Sequence, residues 1–228
     1  MRDDHLGRVL LAVARHAIAD ELRLAATVPA TDETLRRPGA TFVTLFCHDE
    51  LRGCIGTLKA VRAVGIDVRE NALAAAFRDP RFPGLIASEF EAISIEISLL
   101  SSPERLRVDS EAALYSQLRP GIDGVMIELD DRRATFLPQV WEALSDPHAF
   151  VGALKAKAGL PQDFWSPRLN VSRYQVTKWR ERDLQHAGEL MSAAEPYHCA
   201  GAPASGGSAA AQLANELVNE AASVGVLP

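Results

Sequence analysis

The chain has 228 residues, 47% hydrophobic and 24% charged, with a formal net charge of −6. That is enough to bury a core as one domain or two small lobes, at the composition of an ordinary soluble globular protein. Its 24 lysines and arginines are scattered rather than clustered, so the basic stripe that nucleic acid requires is missing and that function is disfavoured.

The first apolar run, from Leu6 to Leu22, is broken by Arg8, Arg15 and His16. A signal peptide needs a basic start and an unbroken apolar stretch, so this is not one. No segment reaches the roughly 20 apolar residues of a membrane span. Cys47, Cys54 and Cys199 form no C-x-x-C pair, which suggests neither a disulfide framework nor a cysteine zinc site. The expectation is a reduced, cytoplasmic, soluble protein.

In chain order, Leu6, Val9, Leu10, Val13, Ala17 and Leu22 recur at three- and four-residue spacing and predict an amphipathic helix over 4–25. After a turn-rich segment with Pro29, Pro38 and Gly39, "TFVTLFC" (41–47) and "LRGCIGTL" (51–58) predict a β-hairpin around "HDE". An alanine-rich helix follows over 62–78 and stops at Asp79-Pro80, because proline disfavours helical geometry in the residue before it. "AISIEISLL" (92–100) alternates as a strand, with Ile93, Ile95, Ile97 and Leu99 on one face and Ser94, Glu96 and Ser98 on the other. A short helix at 110–118 leads to a second hairpin turning at Asp130-Asp131. Further helices are expected at 147–158 and 161–165, and one closing strand across "NVSRYQVTKW" (170–179). Hairpins and helices out of strict alternation indicate an α+β fold with antiparallel or mixed sheets. Beyond 184, "CAGAPASGGSAAA" (199–211) reads as a flexible linker, and the last stretch as one short amphipathic helix.

The stretches "LRGCIGTL", "DPRFPGL", "EISLLSSPE", "PGIDGV", "RRATFLPQVW" and "KAGLPQDFW" together resemble the AMMECR domain, known in bacteria and archaea as AmmeMemoRadiSam system protein A. The resemblance covers 1–183, leaving 184–228 as a C-terminal extension. It implies two subdomains around a cleft, with the LRGCIGT segment near that cleft; a small-molecule ligand in the cleft is a separate expectation. It also implies an association with Memo-like proteins, related to extradiol dioxygenases, and with radical SAM proteins. No settled activity comes with it, and fold alone does not supply one.

Candidate chemistry centres on Cys54. On a regular strand Arg52, Cys54 and Gly56 share one face, where the guanidinium would favour the thiolate and Gly56 would leave the sulfur open to a ligand. The competing reading is that Cys54 is a small packed residue, the glycines permit close backbone approach, and Arg52 forms an ordinary ion pair. Glu96, on the polar face of its strand, is either solvated or a base that pairs with Arg52. Arg81 either pairs locally with Asp79 or binds an anionic ligand. The catalytic candidates are therefore Cys54, Arg52 and Glu96, and the ligand-contacting ones Gly53, Gly56, Thr57 and Arg81. His5 and His16 are expected at the surface of the first helix, and His148 in the first turn of a later one, capped by Asp146. No metal motif, phosphate loop or cofactor signature is present. Two functional classes stay open: a small-molecule enzyme or enzyme component using Cys54, and a non-catalytic ligand-binding or protein-docking module.

Overall fold

A computed structural model of the chain describes residues 4–29 and 32–185, and these divide into two compact units. One comprises the described residues up to Leu100 together with those from Thr177 onward; the other spans Ser101–Val176. The linker and helix expected within 184–228 fall outside the described residues, apart from the first two positions of that extension.

In the first unit, α1 (Asp4–Glu21) ends four residues earlier than its apolar spacing suggests. Arg23 adopts a left-handed conformation at φ 58. The Leu24 N–H then reaches back to the Ala19 carbonyl at 2.8 Å, and the Arg23 N–H to that of Asp20 at 3.0 Å. This pair of bonds satisfies the last helical carbonyls and stops the helix. β1 (Pro38–Cys47) and β2 (Glu50–Gly56) form the expected hairpin. Its turn holds His48 and Asp49 at φ 51 and φ 67, the twist-matched geometry of two-residue hairpins, here built without glycine. A two-residue strand, β3 (Arg62–Ala63), leads into α2 (Val64–Phe77). A tight turn over Ala87–Glu89 precedes β4 (Ile93–Leu100).

The sheet runs β2-β1-β4-β9, with β3 paired to β1 and β9 spanning Val176–Arg180. Ile93, Ile95 and Ile97 are buried in one cluster with Val43 and Leu45 of β1, Leu10, Ala14 and Ile18 of α1, and Val68, Ala72 and Ala75 of α2. Both helices therefore cover one face of the sheet, as the alternation of β4 requires. The short α5 (Glu181–Gln185) packs on α1 and β4.

The second unit holds a four-stranded antiparallel sheet in the order β5-β8-β6-β7. Its strands are β5 (Glu104–Leu106), β6 (Gly124–Leu129), β7 (Arg132–Phe136) and β8 (Asn170–Tyr174). α3 (Glu111–Gln117) and α4 (Pro147–Lys157) belong to the same unit. Trp141 stacks on Phe150 with centroids 3.7 Å apart, and Phe136 meets Phe150 edge-on at 5.3 Å. The helix expected at 161–165 is irregular chain. The single closing strand is two, β8 and β9, which are separated by Gln175 and belong to different sheets.

Candidate functional site

Cys54 sits on β2 opposite Thr44 of β1. Its own N–H donates to Asp79 Oδ2 at 2.8 Å, and its carbonyl accepts from Arg81 Nη2 at 3.2 Å. Both backbone groups thus point away from β1, so the Thr44–Cys54 pair is of the non-hydrogen-bonded kind, in which side chains approach most closely. Accordingly, Thr44 Oγ1 and Cys54 Sγ lie 3.3 Å apart. Burial pushes the thiol above its ordinary range, the Thr44 hydroxyl and the Arg81 charge pull it back only in part, and Asp79 and Glu96 add to the rise. Cys54 is a free thiol.

Arg52 does not act on that sulfur. Gly53 pairs with Leu45 and Leu51 with Phe46, which leaves Arg52 as the extra residue of a β-bulge and breaks the period-two count that placed it beside Cys54. The side chain, 4% exposed, makes a two-pronged pair with Glu89: Nε to Oε1 and Nη2 to Oε2, both at 3.0 Å. The cation near the thiol is Arg81, and the carboxylate that Arg52 meets is Glu89, not Glu96. Nothing in the sequence advertised Glu89. Its one legible sign is its place three residues after Ile86, whose N–H it accepts at 3.0 Å as a helix-start glutamate does.

The glycines answer to packing. A Cβ on Gly53 would meet the Ala75 carbonyl oxygen of α2 at 2.2 Å, and one on Gly56 would meet the Phe42 ring at the same distance. The space expected beside Cys54 at Gly56 is thus filled by an aromatic ring. Thr57 donates its hydroxyl to Asp67 at 2.7 and 2.8 Å, and its N–H to Thr41 at 2.9 Å. Asp67, fully buried on α2, also accepts from the Thr41 N–H and hydroxyl, Arg62 Nε and Asn71 Nδ2. So many donors compensate the cost of enclosing a carboxylate. The legible signal for this hub is that Asp67 and Asn71 lie four apart on the face of α2 that also carries Val64, Val68 and Ala75.

Arg81 pairs with Asp79 through Nε at 2.9 Å and Nη2 at 2.8 Å while Nη2 also holds Cys54, which is the local alternative of the two expected for it. Asp79 is buried; burial opposes its ionisation, but the bonds from Arg81 and from the Cys54 N–H hold its carboxyl below the ordinary carboxylate range.

Glu96 pairs with Thr44 in register across β1 and β4, so Cys54, Thr44 and Glu96 form one row on the sheet face opposite the helices. Lys178 of β9 extends the row, its Nζ 3.6 Å from Glu96 Oε1. The neighbouring row holds Phe46 and Ser94, with the Arg180 guanidinium 4.1 Å over the Phe46 ring. Ser94 Oγ and Arg180 Nε are both enclosed without a hydrogen-bond partner among the described residues.

Among the described residues no cluster of three His, Cys, Asp or Glu side chains is placed to hold a metal ion, and no helix is long and apolar enough to cross a membrane. His148 lies in the first turn of α4, exposed, with its ring 3.9 Å from that of Tyr115, and Asp146 caps that helix as expected by accepting from Ala149 N–H at 3.0 Å. His16 is half-buried rather than on the open surface.

This arrangement of hairpin, bulge and polar row is carried by a chain that belongs to the AMMECR1 family, whose model matches residues 11–179. It is 37% identical over 184 residues to a protein of Methanothermobacter thermautotrophicus, covering 77% of this chain and 94% of that one. It is 33% identical over 189 residues to a protein of Methanopyrus kandleri, covering 78% and 89%. Among solved structures it resembles the crystal structure of the uncharacterized protein PH0010 from Pyrococcus horikoshii, with a TM-score of 0.66 and 28% identity over 79% of this chain and 93% of that one.

Proposed function

We propose that this domain binds a small molecule on the sheet face that carries Cys54, Thr44, Glu96 and Lys178, and that Cys54 serves there as a protonated contact rather than as a nucleophile. The observation that supports this reading is the state of the thiol. It is raised by burial, hydrogen-bonded to Thr44, and separated from the one arginine that was expected to activate it. A nucleophilic cysteine needs the opposite, a thiolate favoured by a cation or an adjacent base. Of the two functional classes left open by the sequence, the non-catalytic ligand-binding module has the better support. A place beside Memo-like and radical SAM proteins rests on the motif resemblance alone and is proposed on that footing.

The test is the rate of iodoacetamide alkylation of Cys54 against pH, read by mass spectrometry on the folded chain. We expect slow modification at neutral pH, with a midpoint above the ordinary 9.0 of a thiol. Fast modification at pH 7, with a midpoint below about 8, would instead mark an activated thiolate and return the enzyme reading.

A further inference from the structure

β2 and β3 are joined by a loop whose two ends are held by one carboxylate. Thr57 donates its hydroxyl to Asp67 Oδ1 at 2.7 Å, and Arg62 donates Nε to the same oxygen at 2.8 Å. Between these anchors Leu58, Lys59, Ala60 and Val61 are all exposed. The Val61 N–H closes back on the Lys59 carbonyl at 2.8 Å, which gives the tip a shape of its own. Leu58 is 37% exposed, Val61 77%, and Ile66, in the first turn of α2, 56%. Single exposed aliphatics are ordinary on a protein surface. These fall in one short stretch, two of them on a loop clasped by a buried aspartate. Ordering such a tip costs entropy, and its apolar atoms return nothing while they face water.

Basic residues that are scattered along the sequence meet around this loop. Gly39 pairs with Arg62 and Pro38 with Ala63 across β1 and β3, and the Val64 N–H donates to the Arg37 carbonyl at 2.8 Å. Arg36 and Arg37 therefore lie beside the foot of the loop, and Lys59 is at its tip. All three are exposed, and none has an ion-pair partner among the described residues. The acids on the same elements are mostly answered: Asp67 is enclosed, Asp32 meets His5, and Glu70 meets Arg69 and Arg78. That leaves the exposed Glu33 against three cations.

A clasped tip of protruding aliphatics flanked by cations suits a surface that is negative outside and apolar just beneath. A partner helix asks instead for a groove to receive its apolar face, and Val61 is a projection. We infer that this loop is the contact through which the protein rests on an anionic lipid bilayer. Val61 and Leu58 enter the boundary between headgroups and acyl chains, and Lys59, Arg36 and Arg37 face the lipid phosphates. The net charge of −6 is no bar, because at physiological salt a charge is felt over only about 8 Å. The contact uses no residue of the row around Cys54, so it stands or falls apart from the role proposed there.

The test is flotation of the full chain with vesicles of equal parts phosphatidylserine and phosphatidylcholine, against vesicles of phosphatidylcholine alone. Saturable binding is expected to the first and little to the second, weakening as salt rises. Lys59→Gln, Arg36→Gln and Arg37→Gln should each lower the partition coefficient about fivefold. Val61→Ser should lower it roughly tenfold, with the melting temperature unchanged because that side chain stands in solvent. The proposal is overturned if the two kinds of vesicle bind alike or not at all. It is equally overturned if Val61→Ser binds as tightly as the wild type, which would reduce the contact to unspecific charge attraction. A third result also sinks it: NMR shifts at 58–61 that answer to an acidic peptide and not to phosphatidylserine vesicles. The peptide is residues 211–227, which carries glutamates and no basic residue, and that result would make the loop a protein-docking surface.

Discussion

Arg52 carries a charge into the interior of the first unit, and Glu89 is what makes that tolerable, since both side chains are nearly fully buried and meet through two bonds. Removing one member of such a pair strands the other charge. Arg52→Ala is therefore expected to cost about 3–5 kcal/mol in urea unfolding, and a loss below about 1 kcal/mol would mean the pair is not formed in solution. Arg52→Met combined with Glu89→Leu should cost less than either single truncation. Cys54 makes a different prediction. Its thiol binds a proton more tightly folded than unfolded, so its contribution is fully present below the unfolded value and is lost as pH rises through the folded one. Between pH 8 and pH 10.5 the wild type should lose more stability than Cys54→Ser, measured as the shift in urea midpoint. These residues were only half legible in the sequence. Their types and spacing drew attention to residues 51–57, which hold Arg52 and Cys54 but not Glu89. The bulge at Arg52 was invisible, because a single inserted residue changes the facing of a side chain without changing the strand's composition.

At the scale of elements, β2 and α2 are set by how closely their backbones approach. The Ala75 carbonyl lies where a Gly53 side chain would begin. Gly53→Ala is expected to destabilise by about 1–3 kcal/mol through displacement of α2, seen as a lowered urea midpoint, whereas a neutral outcome would show that the helix can withdraw freely. The alanine-rich face of α2 announced such packing, and its stop at Asp79-Pro80 was read correctly. The division of 170–179 into β8 and β9 was not legible, because Gln175 is an ordinary residue for a strand and only the pairing partners on either side differ. The end of α1 was missed for a related reason: Arg23 takes a left-handed conformation that usually belongs to glycine or asparagine.

For the whole molecule, the α+β class followed from hairpins mixed with amphipathic helices, and the structure has that architecture, with a separate apolar cluster in each unit. What the composition could not convey was how many carboxylates the fold depends on. The Arg182 bond holds Asp49 below its ordinary range; in Asp79 and Glu111 burial opposes ionisation, but Arg81 and Lys155 outweigh it. A depressed carboxyl contributes stability above its unfolded value and loses it as pH falls through the folded one. Stability should therefore decline below about pH 4, measured by thermal melts between pH 6 and pH 2. Asp79→Asn should flatten part of that decline, as well as lowering stability at neutral pH.

The bonds from Asp79 and Arg81 to the Cys54 backbone have a consequence outside the folded monomer. β2 ends its sheet, and an outer strand with open peptide groups is a template on which another chain can lay itself down. At Cys54 both of those groups are occupied by side chains from the loop that follows α2. The aspartate and arginine thus act as a stopper against strand-by-strand self-assembly, and a chain that lost Arg81 would have a new route to fibrils.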